Sequence, residues 1–309
     1  MVGPKKILVF LALSSLILMG SEKATADFSP APYLDLFYLN GHLGYQIKGV
    51  NKSHEAWRSR LKFEFENMCL GGGVAADISD KMQVRIDGWG SLLRDLGTLI
   101  DKDVIGNDDF ISSTSKEQMH AWGIAGKFRY WALQKGPFSL GPATQLGYDN
   151  FFFRAYDLKQ VEIKGGTPTD TNYPGIASTY SQNRFFWLIG FDSEWMPLGW
   201  LNVEWTGFFS PVSYVWDTDN HILRTKLAHG NAIAYSFQTM LKVGFIIFKK
   251  LHLEAYATYF WLDSYWADQD QHWYGSADPQ TKQGTTYNGI NNKITRQDFT
   301  AGGRIKYDF

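Results

Sequence analysis

Cysteine is almost absent from this chain of 309 residues. Cys69 stands alone, so no intramolecular disulfide holds the fold together. A surplus of one charge is missing too. Lys and Arg number 30 against 31 Asp and Glu, a formal net charge of −1 at pH 7, and nothing in that balance argues for a nucleic-acid partner. Beyond Met19 no segment approaches the ~20 apolar residues that a membrane helix needs. Familiar ligand loops are also lacking. Gly71-Gly72-Gly73 precedes no helix whose end would cap a phosphate. Asp268-Gln269-Asp270-Gln271-His272 would need Gly at the sixth place of a calcium loop and an acid at the twelfth, where Trp273 and Pro279 stand. The sequence therefore gives no reason to expect a metal or a cofactor.

What is present starts with a leader. Lys5 and Lys6 precede an apolar run from Ile7 to Met19, and Ala24-Thr25-Ala26 supplies small residues for cleavage. That pattern predicts a secretory signal peptide over 1–26 and an exported chain over 27–309. Aromatics make up 16% of the residues, yet the average hydropathy is slightly polar. An aqueous globule has little use for so many Trp and Tyr side chains. A β-barrel in an outer membrane does, because it shows lipid an aromatic-banded exterior around a polar lumen.

The exported chain alternates with period two almost throughout. On the first strand Phe37, Leu39, Leu43, Tyr45 and Ile47 oppose Asn40, His42, Gln46 and Lys48. On the second, Trp57, Leu61, Phe63 and Phe65 oppose Arg58, Arg60, Lys62, Glu64 and Glu66. The apolar set is expected to face lipid and the charged row a wet lumen. Short turns near Asp80, Gly136, Leu198 and Lys249 alternate with long polar stretches, Asp101–Glu117, Lys159–Gln182 and Ala267–Asn292, expected as outer loops. The expected fold is all-β: a transmembrane antiparallel up-and-down barrel of about ten strands. Terminal Phe309, with Tyr307 before it, resembles the signature that such barrels show to their assembly machinery.

The stretch Val215-Trp216-Asp217-Thr218-Asp219-Asn220-His221 carries three polar groups at every second position, so an extended strand would aim all three at one face. An aspartate beside a histidine orients the imidazole and supports a positive charge on it. Phase is the difficulty. Leu201, Val203 and Trp205 turn odd residues outward, whereas Val212, Tyr214 and Trp216 turn even ones outward, with Val215 against that pattern. A bulge near Phe209-Ser210-Pro211 would reconcile them and bring Asp217, Asp219 and His221 inside. A second acidic pair, Asp101 and Asp103, is expected at the outer end of the third strand, facing the same mouth.

With these residues in place, the chain resembles the omptin family of outer-membrane endoproteases. The resemblance is carried by Gly88-Trp89, Asp101-Lys102-Asp103, Gly147-Tyr148, Gln182-Asn183-Arg184-Phe185 and Asp217-Thr218-Asp219-Asn220-His221, in the family's order. It implies an aspartyl/histidine endopeptidase at the cell surface, acting on proteins or peptides. Asp219 would orient His221 as general base, and Asp101 and Asp103 would help hold the attacking water. Asp217 would draw a basic substrate side chain by a charge-assisted hydrogen bond. The resemblance also implies that activity requires lipopolysaccharide, held on the outer wall with help from Tyr148 and Arg184. Two departures stand out. No acid occurs near Tyr45-Gln46, where the family has a second pocket carboxylate, and Asn150 and Phe152 replace charged residues after Tyr148.

Two bland alternatives accompany this reading. The charged row Arg58/Arg60/Lys62/Glu64/Glu66 would equally suit a non-catalytic barrel serving as pore, adhesin or structural protein. The second D-x-D-x-H run, Asp268 to His272, reads as surface.

Overall fold

Alternation of this kind gives each strand two faces, and the computed structural model joins nearly all of its described residues into one sheet. It describes residues 29–50, 56–92, 97–105, 109–164, 166–248, 250–275 and 282–308. The expected leader, Lys249 and Phe309 lie outside the described residues.

Thirteen strands follow in order: β1 (Ser29–Val50), β2 (Ala56–Asp77), β3 (Met82–Ser91), β4 (Gly97–Ile105), β5 (Asp109–Tyr130), β6 (Leu133–Lys135), β7 (Phe138–Lys164), β8 (Thr167–Leu198), β9 (Leu201–His221), β10 (Lys226–Ile246), β11 (Leu251–Ser264), β12 (Ala267–Trp273) and β13 (Thr286–Tyr307). β3 and β4 share one position between β2 and β5, β11 and β12 share another, and β6 only extends a turn. Ten positions remain. β1 pairs with β13 from Tyr33 opposite Lys306 to Lys48 opposite Asn291, so the sheet closes on itself with antiparallel neighbours. The fold is a transmembrane up-and-down β-barrel. Closure removes the unpaired edges that lipid would not tolerate.

Most described residues of the three stretches expected as long loops are strand instead, although 274–275 and 282–285 are not. β7 and β8 remain paired as far as Lys164 opposite Thr167, β4 and β5 pair from Thr98 opposite Lys116 outward, and β12 lies between β10 and β13. Polar composition misleads here because a strand that has left the membrane needs backbone partners but no apolar face.

Crossing a bilayer takes ~9–11 tilted residues per strand. Most strands here are about twice that long, so the barrel stands well above the apolar belt. Within the belt Leu36, Val74, Ile86, Phe191, Trp205 and Phe245 point outward and are exposed. Charged side chains fill the inside at this level. Lys127 Nζ lies 2.6 Å from Asp192, Lys242 Nζ lies 2.9 Å from Glu204, and Arg304 forks onto Asp35 at 2.6 and 3.0 Å. A second layer joins Arg184 and Arg296 to Asp149, and Arg296 to Asp298 at 2.6 Å. Gly73 makes room at the wall, since a Cβ there would meet the Ile86 carbonyl at 2.1 Å and the Tyr33 hydroxyl at 2.6 Å.

Above the belt the faces exchange chemistry, and the expected orientation of the first two strands is corrected. Leu43, Tyr45, Leu61, Phe63 and Phe65 are buried inside the barrel, and Phe63 stacks against Phe153 and Tyr180 with ring centres 4.9 and 4.6 Å apart. Arg58, Arg60 and Glu66 are exposed on the outer wall, with Lys62 and Glu64 beside them. The solvent outside has changed from lipid to water, so the apolar side chains turn inward as in any aqueous sheet. The charged row lines no channel.

Glu204 is the shared acceptor of the lower network, facing Lys242 at 2.9 Å, Arg129 at 3.5 Å and Lys127 at 3.9 Å. Glu204→Ala would strand these cations in a confined lumen. It is expected to cost about 3 kcal/mol, read as a lower urea midpoint for unfolding of the barrel in detergent micelles. An unchanged midpoint would mean that the network contributes little.

Candidate active site

β9 changes phase where the sequence demands it. Glu204, Thr206, Phe208 and Ser210 point inward, Pro211 and Val212 both point out, and Ser213, Val215, Asp217 and Asp219 then point inward. Between Ser210 and Ser213 the strand carries one more residue than the facing span Ala234–Ser236 of β10. Pro211 suits the bulge because it has no N–H to leave unpaired. The hydroxyls of Ser210 and Ser213, 3.2 Å apart, fill the space inside. Val215, which opposed the expected phase, is fully buried in the upper core.

At the outer end of β9, His221 Nε2 stands 2.7 Å from Asp219 Oδ2. These groups lie above the apolar belt, whose last outward aromatics on this strand are Tyr214 and Trp216. Burial and the nearby Lys226 and Arg224 push the His221 pKa down, opposed by Asp219. Burial alone would raise the Asp219 pKa, but His221, Lys226 and Arg224 together hold it below the usual carboxylate range. A 3₁₀ turn over Ile222–Arg224 follows, and Thr225 in the left-handed region (φ 47°) sends the chain back into β10. Lys226 therefore stands directly opposite His221.

The acidic pair arrives from the other side of the mouth. Asp101 and Asp103 lie on the inner face of β4, where Asp101 Oδ1 is 3.5 Å from the Ser59 hydroxyl. Arg224 reaches across to Asp103 at 3.8 Å. Burial, then Asp103 and the more distant Asp219, push the Asp101 pKa up to about 7. The structure thus brings Asp101, Asp103, Asp219 and His221 to one mouth, joined by Arg224 and Lys226. Neither cation stood out in the sequence. Lys226 was legible only as one member of the inward row that continues through Ala228 and Gly230.

Asp217 sits deeper. Its carboxylate accepts the Tyr180 hydroxyl at 3.0 Å. A Cβ on Gly230 would fall 2.5 Å from its Oδ1 and 2.3 Å from Asn292 Nδ2, so any larger residue there would push these side chains aside. Tyr45 stands near the place of the family's second pocket carboxylate, and its hydroxyl bonds to Gln269. Asp217 is only 3% exposed, and burial pushes its pKa up to about 7. The pocket is closed by the protein's own phenols and amides rather than left as an open acidic slot.

Of the two outer-wall residues, Tyr148 faces outward, its ring 5.1 Å from Trp122 and 5.9 Å from Trp216. Arg184 does not. It is buried inside against Asp149, between the rings of Phe186 and Phe260. The placement of Arg184 among lipid-contacting residues is corrected: even positions of β8 point into the lumen at this level. The second D-x-D-x-H run lies on β12 with Asp268, Asp270 and His272 all pointing outward, away from the mouth.

No family model matches the sequence, and no curated protein matches it. Solved structures do match. The chain is similar in fold to an outer-membrane protease. That structure, OmpT from Escherichia coli, superposes with a TM-score of 0.82 over 94% of this chain and 99% of its own, at 14% sequence identity. OprG from Pseudomonas aeruginosa (TM-score 0.35, 8% identity, 91% of this chain and 97% of that one) and the NalP translocator domain from Neisseria meningitidis (0.34, 10%, 96% and 95%) overlap far more loosely.

The Asp217 carboxyl gives a pH test. Its folded pKa of about 7 lies above the ordinary 3.8, so the folded state holds this proton more tightly than the unfolded chain. Its contribution to stability then falls as pH rises from about 4 to about 7 and stays unfavourable above that. Asp217→Asn is expected to leave stability at pH 4 nearly unchanged and to raise it at pH 8, in urea titrations of the detergent-solubilised barrel. A variant less stable than the parent at pH 8 would contradict this.

Proposed function

We propose that the protein is an outer-membrane endopeptidase that cleaves proteins or peptides at the cell surface with a water activated by Asp219 and His221. The observation that carries the proposal is the 2.7 Å contact between these two side chains at a mouth shared with Asp101 and Asp103. With Nε2 donating to Asp219, His221 Nδ1 is left to accept a proton. The water oxygen bonds to the scissile carbonyl carbon, its proton passes to Nδ1, and the carbonyl electron pair moves onto oxygen. Collapse re-forms the carbonyl, breaks the C–N bond and returns the proton from His221 to the departing amine. Asp103 Oδ1 and Asp219 Oδ1 are buried without hydrogen-bond partners among the described residues, and both are acceptors that such a water satisfies.

Specificity rests on Asp217. To meet it, a substrate Arg or Lys must displace the Tyr180 hydroxyl and meet a carboxyl that keeps its proton up to about pH 7. The preference for basic residues is accordingly modest in this reading. On the outer wall, Tyr148 with Trp122 and Trp216 forms the aromatic surface that outer-membrane lipid, including lipopolysaccharide, would contact.

The test is cleavage of Arg- or Lys-containing peptides by barrel refolded in detergent, with and without lipopolysaccharide. His221→Ala and Asp219→Ala are each expected to lower kcat/KM by at least 100-fold. Unchanged cleavage in both variants would sink the proposal.

The pore reading is addressed by the lumen. Paired charges occupy the barrel at belt level, so barrels inserted in a planar bilayer are expected to show no steady single-channel conductance. Persistent open-channel current would favour the non-catalytic alternative.

A further inference from the structure

Hydrolysis through this site leaves one requirement not fully met by Asp101, Asp103, Asp219 and His221. Attack on a carbonyl places negative charge on its oxygen, and in a low-dielectric site that charge needs a fixed donor or cation. Asp103 and Asp219 are acceptors and His221 is the base. Asp101, which keeps its proton only up to about pH 7, offers a neutral donor that is lost above that pH, so none of the four supplies a lasting positive charge.

Two cations reach the mouth, and their surroundings differ. Arg224 is nearly half exposed and already contacts Asp103 at 3.8 Å. Lys226 is buried, only 7% exposed, on the inner face of β10 and in register with His221 across the β9–β10 ladder. Asp219, Asp103 and Asp101 all act on its charge, yet among the described residues no carboxylate stands within 4.0 Å of it. The Trp273 ring centre lies 5.9 Å from Nζ. A buried ammonium with acids around it but none closed on it is costly to keep as a purely structural group. A structural lysine would be expected to close on a carboxylate, as Lys242 does on Glu204 at 2.9 Å.

We infer that Lys226 is a further catalytic residue of the proposed peptidase, its ammonium donating a hydrogen bond to the oxyanion formed when water adds to the scissile carbonyl beside His221. The inference rests on the peptidase reading. In the bond changes given above, Lys226 neither gains nor loses a proton; it balances charge on the carbonyl oxygen while His221 carries the water's proton. It also holds His221 neutral. The charged groups around that imidazole are Asp219 on its own strand, Lys226 on β10, Arg224 in the turn and, across the mouth, Asp101 and Asp103 on β4. Removing one cation from this set lets His221 keep its proton to higher pH.

The experiment compares wild type with Lys226→Met, Lys226→Gln and Lys226→Arg, each refolded in detergent and checked for a heat-modifiable, protease-resistant barrel. kcat and KM are measured on one fluorogenic Arg-containing peptide from pH 5 to 9. The expected result is a fall in kcat of about 100-fold or more in the Met and Gln variants, with KM little changed. The acid limb of kcat/KM should move to higher pH, and Lys226→Arg should recover part of the rate. Met and Gln variants within about threefold of wild type, or a loss confined to KM with the acid limb unmoved, would overturn the assignment. Wild type that cleaves while His221→Ala does not, together with an active Lys226→Met, removes Lys226 alone. Folded wild type that cleaves no peptide removes the peptidase reading, and Lys226's role with it.

Discussion

Each strand of this barrel passes through two solvents, and the side chains it carries obey whichever one surrounds them. Within the belt the outside is lipid, so Phe191, Trp205 and Phe245 point out and the polar residues have nowhere to go but the lumen. There they must pair. Arg304 with Asp35, and Lys242 with Glu204 and Glu254, are consequences of confinement as much as sources of stability. Higher up the outside is water, and the same period of two delivers the opposite distribution. Phe63, Phe65, Phe151, Phe153 and Tyr180 close into an aromatic core inside the wall. That core forms a dry floor for the mouth, and the acids above it owe their displaced proton affinities mainly to burial beside it.

This constraint explains what was legible in the sequence and what was not. Strand positions, short turns, closure into about ten positions and the β9 bulge follow from alternation and from Pro211, because each is a local property of backbone and pattern. Which face lies inside is not local. Leu61, Phe63 and Phe65 opposite Arg60, Lys62 and Glu64 make a clean two-faced strand whether the apolar side meets lipid or the interior. Only height above the membrane decides, and height depends on where all the other strands sit. Arg184 was misplaced for the same reason. The polar segment Lys159–Gln182 shows a related error: rich in Thr, Asn, Gly and Pro, it still extends the β7–β8 hairpin, since in water backbone pairing suffices to hold a strand.

The two D-x-D-x-H runs make the same point at the level of chemistry. Asp217-Thr218-Asp219-Asn220-His221 and Asp268-Gln269-Asp270-Gln271-His272 present identical spacings of identical groups. One extra residue at Ser210–Ser213 turns the first inward. The second keeps its acids and histidine in solvent, where His272 bonds to Thr286 at 3.0 Å and the two acids have no ion-pair partner among the described residues. Spacing alone does not separate the two runs. The bulge does, by deciding which run shares a confined space with Asp101 and Asp103.

Within the inward run, environment divides the roles further. Asp217 and Asp219 are neighbours on one face of one strand, both buried, yet their proton affinities move in opposite directions. Asp219 has His221 at 2.7 Å with Lys226 and Arg224 beyond, so its charge is supported and persists. Asp217 is neighboured by a phenol, a glycine notch and amides, and the only strong field on it comes from Asp219, which opposes its ionisation. Two like acids driven apart in this way mark different tasks. The one that stays charged is suited to orienting an imidazole, and the one that keeps its proton to near neutrality is suited to weak, displaceable hydrogen bonding. The proposed division of labour, with catalysis at Asp219–His221 and substrate contact at Asp217, thus follows from which of the two can afford a charge.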